Sequence, residues 1–167
     1  MGKKKHEKGA GSTPATVQLE QAGIPFKTYE YAHSNDHMDD GYGVEAATKL
    51  GFDEHQVFKT LMADTGSERV VGVVPVSGHM DLKALAAAVG AKKASMADPK
   101  VMRESGYVVG GISPLGQRTH HKTVLDESAL QYSEILLSGG KRGFSIGIDP
   151  NDLLKVLDGV AAPIGTR

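Results

Sequence analysis

The chain has 167 residues, of which 40% are hydrophobic and 23% charged, and no apolar run approaches the roughly 20 residues of a membrane-spanning helix. Four Phe, five Tyr and no Trp argue against a surface that binds single strands by stacking many bases. The lack of cysteine excludes disulfides and thiolate sites, and without an apolar signal core we expect a cytoplasmic protein.

The net charge of −1 is unevenly distributed along the chain. Residues 1–12 carry four lysines against one glutamate, a net charge of +3, which leaves −4 for residues 13–167. We expect residues 1–12 to form a disordered basic tail and residues 13–167 to form one domain. A weak electrostatic contact with nucleic acid is the alternative role of the tail.

The predicted elements begin with a helix that Thr13 caps, with Pro14 at its first position and Gly23 as its stop. A strand over IPFKTYEYAH, a polar loop over SNDHMDDGYG and a second helix over VEAATKLG follow. The segments QVFKTLMA and RVVGVVPV alternate as strands do, and the turn-rich TGSE between them predicts a hairpin.

The second half of the chain contains two more helix signals followed by a series of strands. DLKALAAAVG has a cap at Asp81 and a stop at Gly90, and Asp98 caps the shorter DPKVMRESG. Strand patterns cover YVVGGISPLG, TVLDES, EILLSGG and FSIGI, before a last helix over PNDLLKVLDG. This order predicts an α+β fold with a mixed, largely antiparallel, barrel-like sheet surrounded by several helices.

Within QVFKTLMA, Lys59 shares a strand face with Val57 and Leu61. An ammonium between apolar neighbours either meets an anionic or hydroxyl-rich ligand in a pocket or extends from a sheet edge to water.

Two glycine pairs could bring backbone N–H groups close to a ligand. They lie in GGISPLG, residues 110–116, and SGGKRG, residues 138–143. Neither has the spacing of a Walker phosphate loop, and either one alone is typical of a structural turn.

Taken together, VFKTL, GGISPLG and SGGKRG, in this order and with MADP between the first two, resemble the YbaK-like aminoacyl-tRNA deacylases. These are relatives of the editing domain of bacterial prolyl-tRNA synthetases. The resemblance covers residues 13–164 and implies a mixed β-barrel with surrounding helices. It also implies hydrolysis of a mischarged tRNA, most characteristically Cys-tRNA(Pro), with tRNA and a transiently bound prolyl-tRNA synthetase as partners and no cofactor.

The resemblance also implies which residues form the site. In that family the Lys of the FKT motif is the residue most needed for activity, and here it is Lys59. With it we expect Gly110 and Ser138 to be catalytic. The expected substrate-binding residues are Tyr29, Tyr42, Thr60, Gly111 and Ser113.

Two departures from the family pattern concern acidic residues. Relatives often have Phe-Gly-Asp-Glu where this chain has YGVE, so Val44 replaces an acid and Tyr42 the aromatic residue. Some members carry Asp at the position of Ser145.

Cleavage of an aminoacyl ester needs a nucleophile and stabilisation of an oxyanion, for which the N–H groups around Gly110 and Gly111 are candidates. A general base is not evident, and the resemblance implies that the substrate's own cysteine thiol attacks the ester to give a thiolactone. Contacts with tRNA phosphates are expected from basic residues, namely Lys92, Lys93, Arg118, Lys122, Lys141 and Arg142.

Several alternatives remain at this point. The substrate could be another small aminoacyl-tRNA such as Ala-tRNA(Pro), or the protein could be a non-catalytic module that binds a nucleotide or aminoacyl group. A Ser-His-Asp hydrolase could draw on Ser113 or Ser138 with Asp126 and a histidine, but no nucleophile-elbow pattern is present.

The last alternative is a metal site. The loop HSNDHMDD resembles no established metal site in its spacing, so we expect a solvated acidic loop and no bound metal. Its possible ligands are His33, Asp36, His37, Asp39 and Asp40.

Overall fold

A computed structural model describes residues 12–32, 42–98, 100, 112–117 and 119–166. The predicted basic tail, apart from Ser12, and the loop at 33–41 lie outside these ranges, as do Gly110, Gly111 and Arg118. Of the predicted helix over DPKVMRESG, the structure describes only its cap, where the Asp98 carboxylate accepts the Lys100 N–H at 2.8 Å.

The described ranges contain four α-helices and two short 3-10 helices. The α-helices are α1 (Pro14–Ala22), α2 (Tyr42–Leu50), α3 (Leu82–Ala88) and α4 (Pro150–Leu157). The 3-10 helices are Glu54–Gln56 and Glu127–Gln131. None of these helices is long and apolar enough to cross a membrane.

Ten strands lie in the same ranges. They are β1 (Lys27–Glu30), β2 (Phe58–Asp64), β3 (Arg69–Pro75), β4 (His79–Met80), β5 (Ser95–Met96), β6 (Lys122–Asp126), β7 (Ile135–Lys141), β8 (Phe144–Ile148), β9 (Val160–Ala162) and β10 (Gly165–Thr166).

The strands form one five-stranded sheet in the order β5-β2-β3-β6-β9, one three-stranded sheet in the order β1-β8-β7, and the pair β10-β4. Pairing is antiparallel except where β6 lies parallel to β3 and β9, so the predicted mixed, largely antiparallel α+β fold is confirmed. A parallel bridge between Val57 and Leu136 joins the two larger sheets. Within the described ranges the sheets adjoin there without closing into a complete barrel.

The helix boundaries follow the capping signals of the sequence. Thr13 and Thr16 form a capping box at the start of α1, where Pro14 is the first residue, and Gly23 ends the helix at a φ of 71°. Asp81 caps α3 by accepting the Ala84 N–H at 3.0 Å.

One predicted strand is wrong in the part that the structure describes. Residues 112–117 form no strand, because local side-chain bonds hold them in turns. The Ser113 hydroxyl accepts the Leu115 N–H at 3.2 Å, and the Gln117 amide donates back to the Ser113 carbonyl.

Three hydrophobic clusters fill the interior. The first lies between the two larger sheets and is closed by α1 and α4, the second lies between the five-stranded sheet and α3, and the third lies beneath α2. The third cluster is small, with Ala47, Val57 and Leu136 at its centre and Tyr29 and Phe52 packed against it. The bridge that joins the two sheets is therefore also the base of this third cluster.

Thr13 supplies a direct test of how α1 is held in place. Its hydroxyl donates to the Gly139 carbonyl at 2.6 Å and accepts the Thr16 N–H at 3.3 Å. Thr13→Val keeps the shape but loses both bonds, and we expect it to lower the free energy of unfolding by about 1–3 kcal/mol in urea denaturation. Thr13→Ser, the matched control, should stay close to wild type, and equal stability of the two variants would contradict this role.

Candidate active site

Lys59 lies on a largely apolar face of β2. Val57 on that face belongs to the third cluster and Leu61 packs against the second, while the cross-strand neighbour Val74 is fully buried. The Lys59 side chain is half-buried, and burial lowers the pKa of its ammonium below the ordinary value of 10.5. Among the described residues no carboxylate forms a salt bridge with it. The ammonium is thus partly stripped of water without a compensating ion.

The opposite face of β2 carries Phe58, Thr60 and Met62. Phe58 and Met62 belong to the first cluster, and Thr60 is 5% exposed with a hydroxyl that has no hydrogen-bond partner among the described residues. The structure therefore directs Thr60 away from Lys59. It faces the cluster against which Ile112, just after the predicted Gly110 and Gly111, is packed.

Ser138 shares a face with Lys59 by its position relative to the bridge between the sheets. The bridge between Val57 and Leu136 is parallel, and β2 and β7 remain in contact beyond it. Lys59 lies two residues after Val57, and Ser138 lies two residues after Leu136. Since side chains alternate along a strand, both emerge on the face of the third cluster.

The same row continues across the three-stranded sheet. Ser138 is the register partner of Ser145 in β8, and Ser145 is the partner of Tyr29 in β1. Ser145 is 3% exposed, whereas Ser138 and Tyr29 are half-buried. We name the four residues Lys59, Ser138, Ser145 and Tyr29 the polar row. It brings together three predicted site residues and one, Ser145, that was noted only as a family difference.

Tyr29 is held by a carboxylate from the segment before β7. Its hydroxyl donates to Glu134 at 2.8 Å, and its ring meets the Phe52 ring edge-on with centroids 5.4 Å apart. Burial, followed by the hydrogen bond and the charge of Glu134, raises the pKa of Tyr29 to about 12. Tyr29 therefore remains protonated at neutral pH, and it commits that proton to Glu134.

Two further residues support this pair. Gln56 donates to the Glu134 carbonyl at 2.7 Å, which ties Glu134 to the segment just before β2. A Cβ at Gly147 would overlap the Glu134 carboxylate and crowd the Tyr29 ring, so a larger residue here would displace Glu134 from Tyr29. Sequence reasoning missed Glu134 and Gln56, because no local pattern connects Tyr29 with a carboxylate 105 positions away.

The two glycine-containing segments both dock on the first turn of α1. Thr13 binds Gly139, the residue after Ser138, and its Cβ lies 3.6 Å from the place a Cβ would take at Gly140. Gly116 packs against the α1 backbone at a φ of 73°, and its N–H donates to Gln18 at 2.7 Å. This turn fixes where both segments lie relative to each other.

The two predicted serines have different surroundings. Ser113 is 2% exposed and its hydroxyl closes a turn, whereas the half-buried Ser138 accepts the Gly140 N–H at 3.1 Å. Because the Ser138 oxygen is the acceptor there, its hydrogen can be donated to a ligand. Tyr42 is the first residue of α2, and its side chain lies outside the described part.

The predicted tRNA contacts lie on separate segments. Lys92 and Lys93 are exposed between α3 and β5, and Lys122 at the start of β6 lies 3.3 Å from the Glu68 carboxylate. Lys141 is placed over the Phe144 ring at 5.5 Å from its centroid. Arg142 follows it, half-buried, in the turn between β7 and β8.

Asp126 has a structural role. It is buried, and its carboxylate accepts the N–H groups of Ile164 and Gly165 at 3.0 and 2.8 Å and also binds Ser128. No imidazole appears among these partners, so they give no support to a Ser-His-Asp arrangement.

Comparison with known proteins assigns the family. The aminoacyl-tRNA editing domain matches residues 41–156. A protein of Enterococcus faecalis, named "Putative Cys-tRNA(Pro)/Cys-tRNA(Cys) deacylase EbsC", is 39% identical over 171 residues, which cover 100% of this chain and 99% of the relative.

Two solved structures share the fold. One is titled as a "putative trans-editing enzyme for prolyl tRNA synthetase" and matches with a TM-score of 0.81 at 24% identity, over 96% of this chain and 100% of the other. The second, of a hypothetical protein, has a TM-score of 0.80 at 20% identity, over 92% of this chain and all of the other. The chain belongs to the family of aminoacyl-tRNA editing domains.

Proposed function

We propose that this protein is a trans-acting aminoacyl-tRNA deacylase and that Cys-tRNA(Pro) is its substrate. The family assignment supports the reaction, and the name of the 39% identical relative supports the substrate. The observation that carries the proposal is the half-buried ammonium of Lys59, which shares a face with Ser138 and has no salt bridge to a carboxylate among the described residues.

Lys59 acts as a clamp on the 3′ end of the tRNA. Phosphate and ribose oxygens are strong acceptors, and an anion placed beside a partly desolvated ammonium interacts more strongly than it would in bulk water. The binding of such an anion stabilises the charged form of Lys59 and so raises its pKa. The lysine thereby positions the ester and remains protonated while it does so.

The polar row lacks an evident general base among its described members. It contains one lysine engaged with the anion, two serines, and a tyrosine that its pKa of about 12 keeps protonated. The nucleophile therefore comes from the substrate. The cysteine thiol loses its proton and its sulfur attacks the ester carbonyl carbon, the carbon–oxygen bond to the ribose breaks, and the ribose oxygen takes a proton.

The products of that step are deacylated tRNA and a thiolactone, which water opens to cysteine. Ser138 donates a hydrogen bond to the ribose or aminoacyl portion, and Tyr29 lines the pocket. We assign stabilisation of the developing oxyanion to backbone N–H groups at Gly110 and Gly111. We assign no specific step of the reaction to Thr60, Tyr42 or the remaining predicted contacts.

The charge of the domain bears on how it would bind tRNA. Residues 13–167 carry a net charge of −4, which implies weak affinity for tRNA without help. We propose that prolyl-tRNA synthetase, bound transiently, presents tRNA(Pro) in the cytoplasm.

The test of the proposal is a deacylation assay on Cys-tRNA(Pro), Ala-tRNA(Pro) and Pro-tRNA(Pro). Wild type should cleave the cysteinyl ester selectively, because only that ester carries a thiol. Lys59→Met should slow this cleavage by about 100-fold or more, since it removes a charge that positions the reacting group.

Lys83→Met, at an exposed lysine of α3, is the matched control and should keep wild-type activity. Because Lys59→Met removes a desolvated charge, it should fold at least as stably as wild type. Equal cleavage of all three esters would refute the thiol mechanism. No cleavage above the spontaneous rate, even with prolyl-tRNA synthetase added, would leave a binding module as the better account.

The Tyr29–Glu134 pair gives a second prediction. The phenol of Tyr29 should titrate near 12, and Glu134→Ala should lower this pKa towards the ordinary value of 10.0. A raised tyrosine pKa means that between about 10 and 12 the folded state keeps a proton that the unfolded state loses, so stability falls as pH rises through that window. Tyrosinate absorbance measures the titration, with Tyr29→Phe as the subtraction control; an unchanged pKa in Glu134→Ala would refute the pairing.

A further inference from the structure

A cleft of about 310 Å³ lies between α1 and residues 114–123. This volume is at the lower end of the roughly 300–1,000 Å³ of small-molecule sites. Its polar lining comes from three glutamines, two threonines and two adjacent histidines, among them Gln18, Gln21, Gln117, Thr119, His120 and His121. The reaction proposed above uses none of these side chains.

The described lining of the cleft carries no Lys, Arg, Asp or Glu. Burial, then the nearby Arg69 and His120, lower the pKa of His121 below its ordinary value of 6.5, so this imidazole is neutral at pH 7. Arg69 is nearby but does not line the cleft, so a phosphate or a carboxylate would find no charged side chain in the described lining. The lining suits a neutral, planar, polar group.

The amides supply both hydrogen-bonding functions that a nucleobase needs. The Gln117 amide nitrogen donates to the Ser113 and Leu115 carbonyls, while its buried oxygen has no partner among the described residues. The Gln18 oxygen is occupied by the Gly116 N–H, which leaves the Gln18 amide nitrogen to donate. An unmatched buried acceptor is unusual in a folded protein, and a ligand N–H would satisfy it.

Adenine and cytosine have an exocyclic amine next to a ring nitrogen acceptor. Glutamine amides pair with this donor–acceptor edge, and imidazole rings stack on the faces of unpaired bases. Uracil offers no exocyclic amine. The lining therefore selects for the bases that carry one.

The cleft is connected to the segment of Ser138 through the first turn of α1. Pro14 lines the cleft, and its neighbour Thr13 binds Gly139, the residue after Ser138. The first turn of α1 thus contacts both the cleft and the backbone next to Ser138.

We propose that this cleft binds an unpaired adenine or cytosine from the 3′ end of the substrate tRNA. The inference rests on the proposed function, because the aminoacyl ester is what brings this end to the protein. Every tRNA ends in C-C-A, and all three of these bases carry the exocyclic amine. The cleft recognises the base edge, while Lys59 recognises charge.

The test compares two RNA tetranucleotides without an aminoacyl group, ACCA and UUUU, by chemical-shift titration. Wild type should bind ACCA about tenfold more tightly, as expected for one good base-edge pair. Val17→Trp, at a cleft residue that is 38% exposed, should fill the cleft and abolish the preference. Val160→Trp makes the same exchange on β9, outside the cleft at 50% exposure, and should retain it.

If Val17→Trp fails to fold, Gln21→Trp, one turn later on α1 and exposed, blocks the same cleft. Equal binding of ACCA and UUUU by wild type, or loss of the preference in Val160→Trp, overturns the proposal. Competition by AMP as strong as that by ACCA overturns the assignment to the tRNA end in favour of a free nucleotide.

This experiment cleaves no ester, so its failure and that of the proposed function can be told apart. Base preference in a protein without deacylase activity would support the cleft and refute the function. Deacylation by a protein without base preference would support the function and refute the proposal for the cleft.

Discussion

The ammonium of Lys59 stands on a strand face whose neighbours are apolar, and the rest of the site depends on that placement. Its pKa is lowered because water is removed and no described carboxylate compensates. The parallel bridge between Val57 and Leu136 then sets which residue of β7 shares its face, namely Ser138. We propose that a substrate anion supplies the partner that the Lys59 ammonium lacks among the described residues.

The first turn of α1 is the second organising element. Thr13 binds the carbonyl of Gly139, and Gly116 donates to Gln18 on the same helix. Both glycine-containing segments are thereby attached to one short rigid element, since capping by Thr13 and Pro14 sets where that element begins. This turn therefore contacts both the cleft between α1 and residues 114–123 and the backbone next to Ser138.

Local signals in the sequence are sufficient to predict the helix caps, the β2–β3 hairpin and the strand face on which Lys59 lies. Each of these features depends on residues that are close together in the chain. The Tyr29–Glu134 bond depends on register across β1, β8 and β7, and no local pattern encodes it. Residues 112–117 were predicted as strand from apolar content. The Ser113 hydroxyl instead closes a turn, a competition between side chain and backbone that periodicity alone does not detect.

The most direct measurement is the NMR titration of the Lys59 ammonium, with lysine labelled at the ε-carbon and Lys59→Met used to assign the signal. The account predicts a pKa below 10.5 in the free protein and a rise when uncharged tRNA(Pro) binds, because the RNA supplies the absent anion. An ordinary pKa in the free protein, or a lowered one that RNA binding leaves unchanged, would contradict the role of Lys59 as the clamp on the tRNA end.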